Sequence, residues 1–197
     1  MAVAAYWWAG DCAVTFKVLK IGDGRRKPLI EDWENWLLKA DELYKRFSDR
    51  LDGDSPFDYH EVASVGFLAS AAAMAGFLPV NEYDIFKRGR SDKRTKVSGR
   101  ADMWFDTGPR CYSIEYKRTV RPVTITYLKD RLQAAYLDID CVPRDESHYA
   151  AACLVTVARQ TERIKTCEAF AQHDSVNFSY QIGPTQTPGF LFFRLRA

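Results

Sequence analysis

The spacing of apolar residues divides the chain into helical and extended segments. Between positions 31 and 50, apolar side chains recur at intervals of three and four, which predicts an amphipathic helix. A second helix is predicted over 59 to 75, where an alanine-rich run that is apolar on nearly every side indicates burial. The Asp-Gly-Asp-Ser-Pro segment between them indicates a turn, and Gly76 ends the second helix.

The remaining pattern predicts a mixture of strands and helices. Alternating polar and apolar positions predict strands, and the continuous apolar run over 150 to 157 is typical of a central strand. Two strands lie between 99 and 117, joined by a Thr-Gly-Pro turn. The other predicted elements are strands over 13–20, 77–86, 176–181 and 190–195, helices over 124–137 and 160–171, and a polar loop over 87–98.

Length and composition favour one α/β domain covering 1–197. The chain has 197 residues, of which 47% are hydrophobic and 27% charged, and neither a repeat nor a linker divides it. Its five cysteines include no Cys-x-x-Cys pair, so we expect a reducing, cytoplasmic environment. Asp11 interrupts the apolar opening, and we therefore expect no membrane segment. The net charge of +2 is too small to identify a partner by itself.

The chemistry of the chain is concentrated between Gly99 and Lys117. Because residues two apart on a strand share a face, Asp102, Glu115 and Lys117 are predicted to lie within reach of one another. Two carboxylates and an ammonium on one face are suited to a divalent cation with a group that handles water. Asp106 would replace Asp102 if the strand register slipped by an even number of residues.

The order of elements carries a family resemblance. From 59 to 157 the chain reads helix, three strands, helix, strand, with Glu61 in the first helix and Glu-x-Lys leaving the third strand. This arrangement resembles the PD-(D/E)XK nuclease superfamily, also called restriction-endonuclease-like. The resemblance implies a core over 59–157, with a strand and helix added in 1–58 and a helix and strands added in 158–197. Ala101 departs from the family pattern, which often has proline there.

The resemblance also implies an activity and roles for residues. The chain is expected to hydrolyse phosphodiester bonds of nucleic acid with Mg²⁺, or Mn²⁺ as an alternative. The expected ligands are Asp102, Glu115, the backbone carbonyl of Tyr116 and, in support, Glu61. Lys117 would orient or deprotonate the attacking water, with its pKa lowered by burial and nearby cations. An acid at the start of a helix is also favoured by the helix dipole, so Glu61 has a structural explanation as well.

Basic residues surround the proposed site, and they indicate nucleic acid as the partner. DNA is expected ahead of RNA, although the residues themselves do not distinguish the two. A mobile solvated loop is the alternative reading of the charge run. Gln133 and Tyr136 loosely resemble a Gln and Tyr found in some nucleases of the superfamily, although a packing role explains them equally well. The candidate nucleic-acid contacts are Lys87, Arg88, Arg90, Lys93, Arg94, Lys96, Arg100, Arg118, Arg121, Lys129 and Gln133.

Two other interpretations remain open at this point. The chain could be a catalytically inactive module of the same fold that binds nucleic acid or a partner protein, since the proline is missing and the flanks are unassigned. It could also be an α/β protein with no nucleic-acid role, if the acids lie too far apart to share a cation. A homodimer is compatible with either cleavage or assembly. Trp33 and Trp36 have helical spacing, which favours core or subunit packing over stacking on bases.

Overall fold

The computed structural model describes residues 15–22, 26–119 and 124–197. These residues form a mixed α/β structure with four helices and one seven-stranded sheet. The helices are α1 (Lys27–Arg50), α2 (Glu61–Met74), α3 (Ile125–Ile139) and α4 (Thr161–Ala171). The strands are β1 (Lys17–Lys20), β2 (Leu78–Arg88), β3 (Lys96–Asp106), β4 (Cys111–Thr119), β5 (Tyr149–Val157), β6 (Phe178–Ile182) and β7 (Gly189–Leu195).

The sheet has the order β1-β6-β7-β5-β4-β3-β2. Strands β2, β3 and β4 form an antiparallel meander, and β4 pairs with β5 in parallel. A parallel pair needs a crossover connection, which α3 supplies here. The strands β6, β7 and β1 then extend the sheet beyond β5 with antiparallel pairing.

Helices cover both faces of the sheet, so the chain has two apolar cores. Successive residues of β5 alternate between them: Cys153 packs with α1 and α2, whereas Leu154 packs with α3 and α4. Trp33 and Trp36 of α1 are both fully buried at 0% exposure, which confirms the core role predicted from their spacing. Trp7, Trp8 and Cys12 lie outside the described residues.

Local signals explain where the helices begin. His60 precedes α2 and its Nδ1 accepts a hydrogen bond from the Ala63 amide at 3.2 Å. Thr124 caps α3 in the same way, its Oγ1 accepting from the Tyr127 amide at 3.1 Å. Such caps satisfy amides that have no partner within the helix.

The order of elements over 61–157 is the predicted one, with two corrections. The predicted loop over 87–98 is shorter, because β2 continues to Arg88 and β3 already begins at Lys96. The flanks are also more than additions to a core, since β1, β6 and β7 continue the same sheet. Positions 13 and 14 of the first predicted strand lie outside the described residues, as does Arg121. Within the described ranges, no helix combines the length and apolar character that crossing a bilayer requires.

Candidate active site

The candidate site lies where β3 separates from β4. Pairing between these strands runs from Asp106–Cys111 to Met103–Ile114 and ends there. Beyond that point the Tyr116 amide donates to Oδ2 of Asp102 at 2.7 Å, and the Arg118 amide donates to Oε2 of Glu61 at 3.0 Å. Two carboxylates thus accept hydrogen bonds from β4 amides that a longer β3–β4 ladder would have used.

We call this region the fork and define it by Glu61, Asp102 and Glu115–Lys117. Each side chain is brought there by a different element: Glu61 by the first turn of α2, Asp102 by β3, and Glu115 and Lys117 by β4. The structure therefore brings together the acids and the lysine that the sequence singled out. Asp106 is instead the last residue of β3, and its Oδ1 accepts a hydrogen bond from the Gly108 amide of the following turn at 2.6 Å.

Glu115 is the most buried acid of the fork, with 2% of its surface exposed. Its Oε1 accepts a hydrogen bond from Nζ of Lys87 at 2.6 Å. Burial and the charge of Asp102 together raise the pKa of Glu115 to about 7, although Lys87 opposes the shift. The carboxyl group consequently titrates near neutral pH.

Asp102 is half-buried, and its pKa is shifted in the same direction as that of Glu115. Burial raises its pKa above the usual range, and the charge of Glu61 adds to this effect. The Tyr116 amide and the ammonium of Lys117 act against the rise without cancelling it. Ionisation of Asp102 and Glu115 is therefore unfavourable in the folded protein. A closely bound cation would stabilise the ionised form of both acids.

Lys117 is half-buried between two acids. Its Nζ lies 3.6 Å from Oε1 of Glu61 and 3.1 Å from Oδ2 of Asp138. Burial lowers the pKa of Lys117, but the charges of Glu61 and Asp138 outweigh it and hold that pKa above its ordinary value. The fall in pKa expected from the sequence is wrong for this arrangement, because the neighbours of the ammonium are anions.

Asp138 is a site residue that the sequence analysis missed. It lies in the last turn of α3 and bonds both Lys117 and Arg90. Burial opposes its ionisation, yet Lys117 and Arg90 together hold the pKa of Asp138 below its usual range. An acid at the C-terminal end of a helix is unfavourable for the helix dipole, and that is the signal in the sequence that could have identified it.

The backbone of Tyr116 faces the fork while its side chain lies in the core. The ring is buried at 1% exposure among residues of the α1–α2 side. The amide and carbonyl of one strand residue point to the same side of the strand. The Tyr116 carbonyl therefore points to the same side as its amide, which is the side of Asp102.

The predicted nucleic-acid contacts fall into two groups. Two of them, Arg118 and Gln133, are held by structural contacts. The Arg118 guanidinium bonds the carbonyls of Phe57 and Asp58. Gln133 accepts a hydrogen bond from Arg194, which also lies over the Tyr136 ring, in agreement with a packing role. Arg118 and Gln133 are therefore better explained by structure than by substrate binding.

The other group forms a basic surface beside the fork. Arg88, Lys93, Arg94 and Lys96 line one cleft, and Lys87 and Arg90 line a second cleft that also contains Asp138. Arg100 is exposed on β3 and lies 3.4 Å from Glu82, and Lys129 is exposed on α3. Positive charge thus adjoins the acids on the β2–β3 side of the molecule.

The donor atoms of the fork fit a hard divalent cation. Glu61, Asp102, Glu115 and the Tyr116 carbonyl offer only oxygen, which is the ligand type that Mg²⁺ prefers. As the side chains stand, they bond Lys87, Lys117 and backbone amides. In these positions the acids of the fork are not arranged around one point: within the described part of the chain, no three or more His, Cys, Asp or Glu side chains form a group that could hold a metal ion.

Comparisons of the chain with protein-family models, with curated proteins and with solved structures found no match. Inference about function consequently depends on the fork itself.

Proposed function

We propose that this protein is a Mg²⁺-dependent nuclease that hydrolyses phosphodiester bonds through a metal-activated water. The observation that supports this most strongly is the position of three acids and two lysines where β3 parts from β4. Asp102 and Glu61 accept hydrogen bonds from β4 amides, Glu61 also lies near Lys117, and Glu115 bonds Lys87. The order of elements over 61–157 agrees with a PD-(D/E)XK nuclease core, and the placement of the three acids agrees with it independently.

The proposed roles follow from the donor atoms and their neighbours. Asp102, Glu115 and the Tyr116 carbonyl would hold Mg²⁺, and Glu61 would support the site through Lys117 and the Arg118 amide. When bound, the metal would supply an activated water and neutralise the charge that develops on the phosphate. Lys117 would orient the water and the phosphate oxygen by donating hydrogen bonds.

DNA is the proposed substrate. Lysines and arginines, several of them exposed, line the basic surface together with Asp84, Asp145 and Glu146. The basic side chains are suited to contact with a phosphate backbone. Contacts of this kind position a polymer without reading its bases. We therefore expect cleavage with little dependence on sequence.

A cleavage assay tests the proposal. The protein is incubated with DNA and with RNA in Mg²⁺ or Mn²⁺, beside the variants Asp102→Ala and Lys117→Ala. We expect each variant to lose on the order of 100-fold or more in rate, as removal of a transition-state contact does. Asp106→Ala is the matched control, since this carboxylate lies on the same strand but serves the turn.

Two results would count against the proposal. One is the absence of cleavage under all these conditions; the other is cleavage that survives in both Asp102→Ala and Lys117→Ala, which would indicate a contaminating nuclease.

One observation favours a second candidate, a catalytically inactive module that binds nucleic acid. Lys87 already neutralises the most buried acid of the fork, so the site is satisfied in part without a metal. Salt-sensitive DNA binding together with no detectable Mg²⁺ binding in calorimetry would support the module over the enzyme.

A further inference from the structure

The ion pair between Lys87 and Glu115 is the closest contact that any cation makes in the fork. Nζ of Lys87 lies 2.6 Å from Oε1 of Glu115, and the two side chains are only 17% and 3% exposed. Lys87 comes from β2, which is separated from β4 by β3. Its side chain thus reaches across one strand to a buried acid.

The strand between them leaves room for this reach. Gly99 of β3 lies beneath the Lys87 side chain, and a Cβ at that position would come 3.5 Å from Cδ of Lys87. Residue 99 carries no side chain that could stand between the ammonium and the acid. Ile85, two residues before Lys87, packs on the α3–α4 core and fixes the strand in this orientation.

Lys87 and a divalent cation would compete for the same acid. An ammonium close to a carboxylate oxygen would lie within a few ångströms of any dication that this carboxylate also bound, and their repulsion in a poorly solvated site is strong. Leaving Glu115 with neither partner is equally unfavourable, since a buried charge without a counterion is costly. One cation or the other is therefore required.

From this geometry we infer that Lys87 is the resident counterion of Glu115 and that a divalent cation displaces it. The inference rests on the proposed metal site, which it deepens by assigning Lys87 a role in cation binding. Metal binding and release of Lys87 from Glu115 are then one event. In this account Lys87 weakens the affinity for metal while it keeps the metal-free protein stable.

The test is a calorimetric titration of the full chain with Mn²⁺ alone at pH 8. We expect Lys87→Met to bind Mn²⁺ about 10-fold more tightly than the wild type, a difference of about 1.4 kcal/mol. Lys87→Arg keeps the charge and should match the wild type. Lys165→Met removes an exposed lysine of α4 and controls for the change in net charge.

A second measurement uses the unaltered protein, in case Lys87→Met folds poorly. Nitrogen-15 NMR of the lysine Nζ groups should show the Lys87 signal moving toward that of a solvated lysine as Mg²⁺ is added. Tighter binding in Lys87→Met, or this movement of the signal, supports the inference.

Equal or weaker Mn²⁺ binding in a folded Lys87→Met overturns the inference and leaves the proposed metal site standing. A Lys87 signal that stays in place at saturating Mg²⁺ has the same meaning. If neither protein binds the cation, both the inference and the proposed function fail.

Discussion

At the scale of single residues, the fork depends on how Glu115 carries its charge. A carboxyl group whose pKa is higher in the folded than in the unfolded chain binds its proton more tightly when folded, so ionisation destabilises the fold. Burial gives Glu115 a pKa of about 7 against an ordinary value of 4.5. Its destabilising effect is therefore absent below pH 4.5, grows as the pH rises, and is complete above about 7.

Replacing Glu115 by Gln should remove this pH dependence. Between pH 4.5 and 7.5, we expect the free energy of unfolding of Glu115→Gln to rise relative to that of the wild type by roughly 2 to 3 kcal/mol. Chemical denaturation at a series of pH values measures the difference. Parallel curves for the two proteins would show that Glu115 titrates at its ordinary pKa.

The site residues differ in how far the sequence could predict them. Asp102, Glu115 and Lys117 were predictable because alternation on adjacent strands is a local property that fixes a shared face. Lys87 was not predictable, and Asp138 gave only the signal of an acid at a helix C-terminus. Each reaches the fork from an element whose position depends on the whole sheet. Lys87 was predicted as one phosphate contact in a basic run, and its pairing with Glu115 is visible only in three dimensions.

At the scale of elements, the separation of β3 from β4 gives Asp102 a structural role in addition to its proposed role as a metal ligand. The carboxylate accepts the Tyr116 amide, which lies beyond the last β3–β4 pair. β2 is also irregular opposite this point, because Glu82 has a φ of +48° between the pairs Asn81–Met103 and Tyr83–Ala101. Regular pairing is thus interrupted around Asp102.

Two substitutions of Asp102 separate the two tasks. Asp102→Ala leaves the Tyr116 amide without its partner and should lower the free energy of unfolding by about 1 to 2 kcal/mol. Asp102→Asn keeps an acceptor oxygen and should remain within about 1 kcal/mol of the wild type, yet lose the negative charge and cleavage. Thermal or chemical unfolding measures both; equal destabilisation by Ala and Asn would contradict the structural role.

The helices and most strands were predictable because their periods are local and strong. The buried face of α1 and the apolar run of β5 each carry the period or composition of their element. The extensions of β2 to Arg88 and of β3 back to Lys96 were not predictable, because charged residues on an exposed hairpin show no apolar alternation. Backbone pairing alone forms that part of the sheet.

At the scale of the whole molecule, the uneven distribution of charge matters more than the net charge of +2. The basic surface lies at the β2–β3 end of the sheet, beside the fork, and β1 lies at the other end. The flanking strands β1, β6 and β7 belong to the same sheet as β2–β5. The β1 end and the β2 end are therefore opposite edges of one sheet. Nucleic acid is accordingly expected to bind at one end of the sheet.

The salt dependence of DNA binding tests whether nucleic acid binds at the β2–β3 end of the sheet. Lys96→Gln should reduce the slope of log affinity against log salt concentration by about 0.9, the effect of one lost phosphate contact on duplex DNA. Lys17→Gln removes an exposed lysine from β1, five strands away in the sheet order, and should leave the slope unchanged. Equal effects of the two substitutions would mean that binding follows net charge alone.

The central claim is that the fork is a divalent-metal site, and diffraction from crystals grown with Mn²⁺ tests it most directly. The account predicts an anomalous peak at the manganese edge about 2.1 Å from oxygens of Asp102 and Glu115, with Lys87 turned away from Glu115. A fork without a peak at saturating Mn²⁺, with Lys87 still bonded to Glu115, would contradict it.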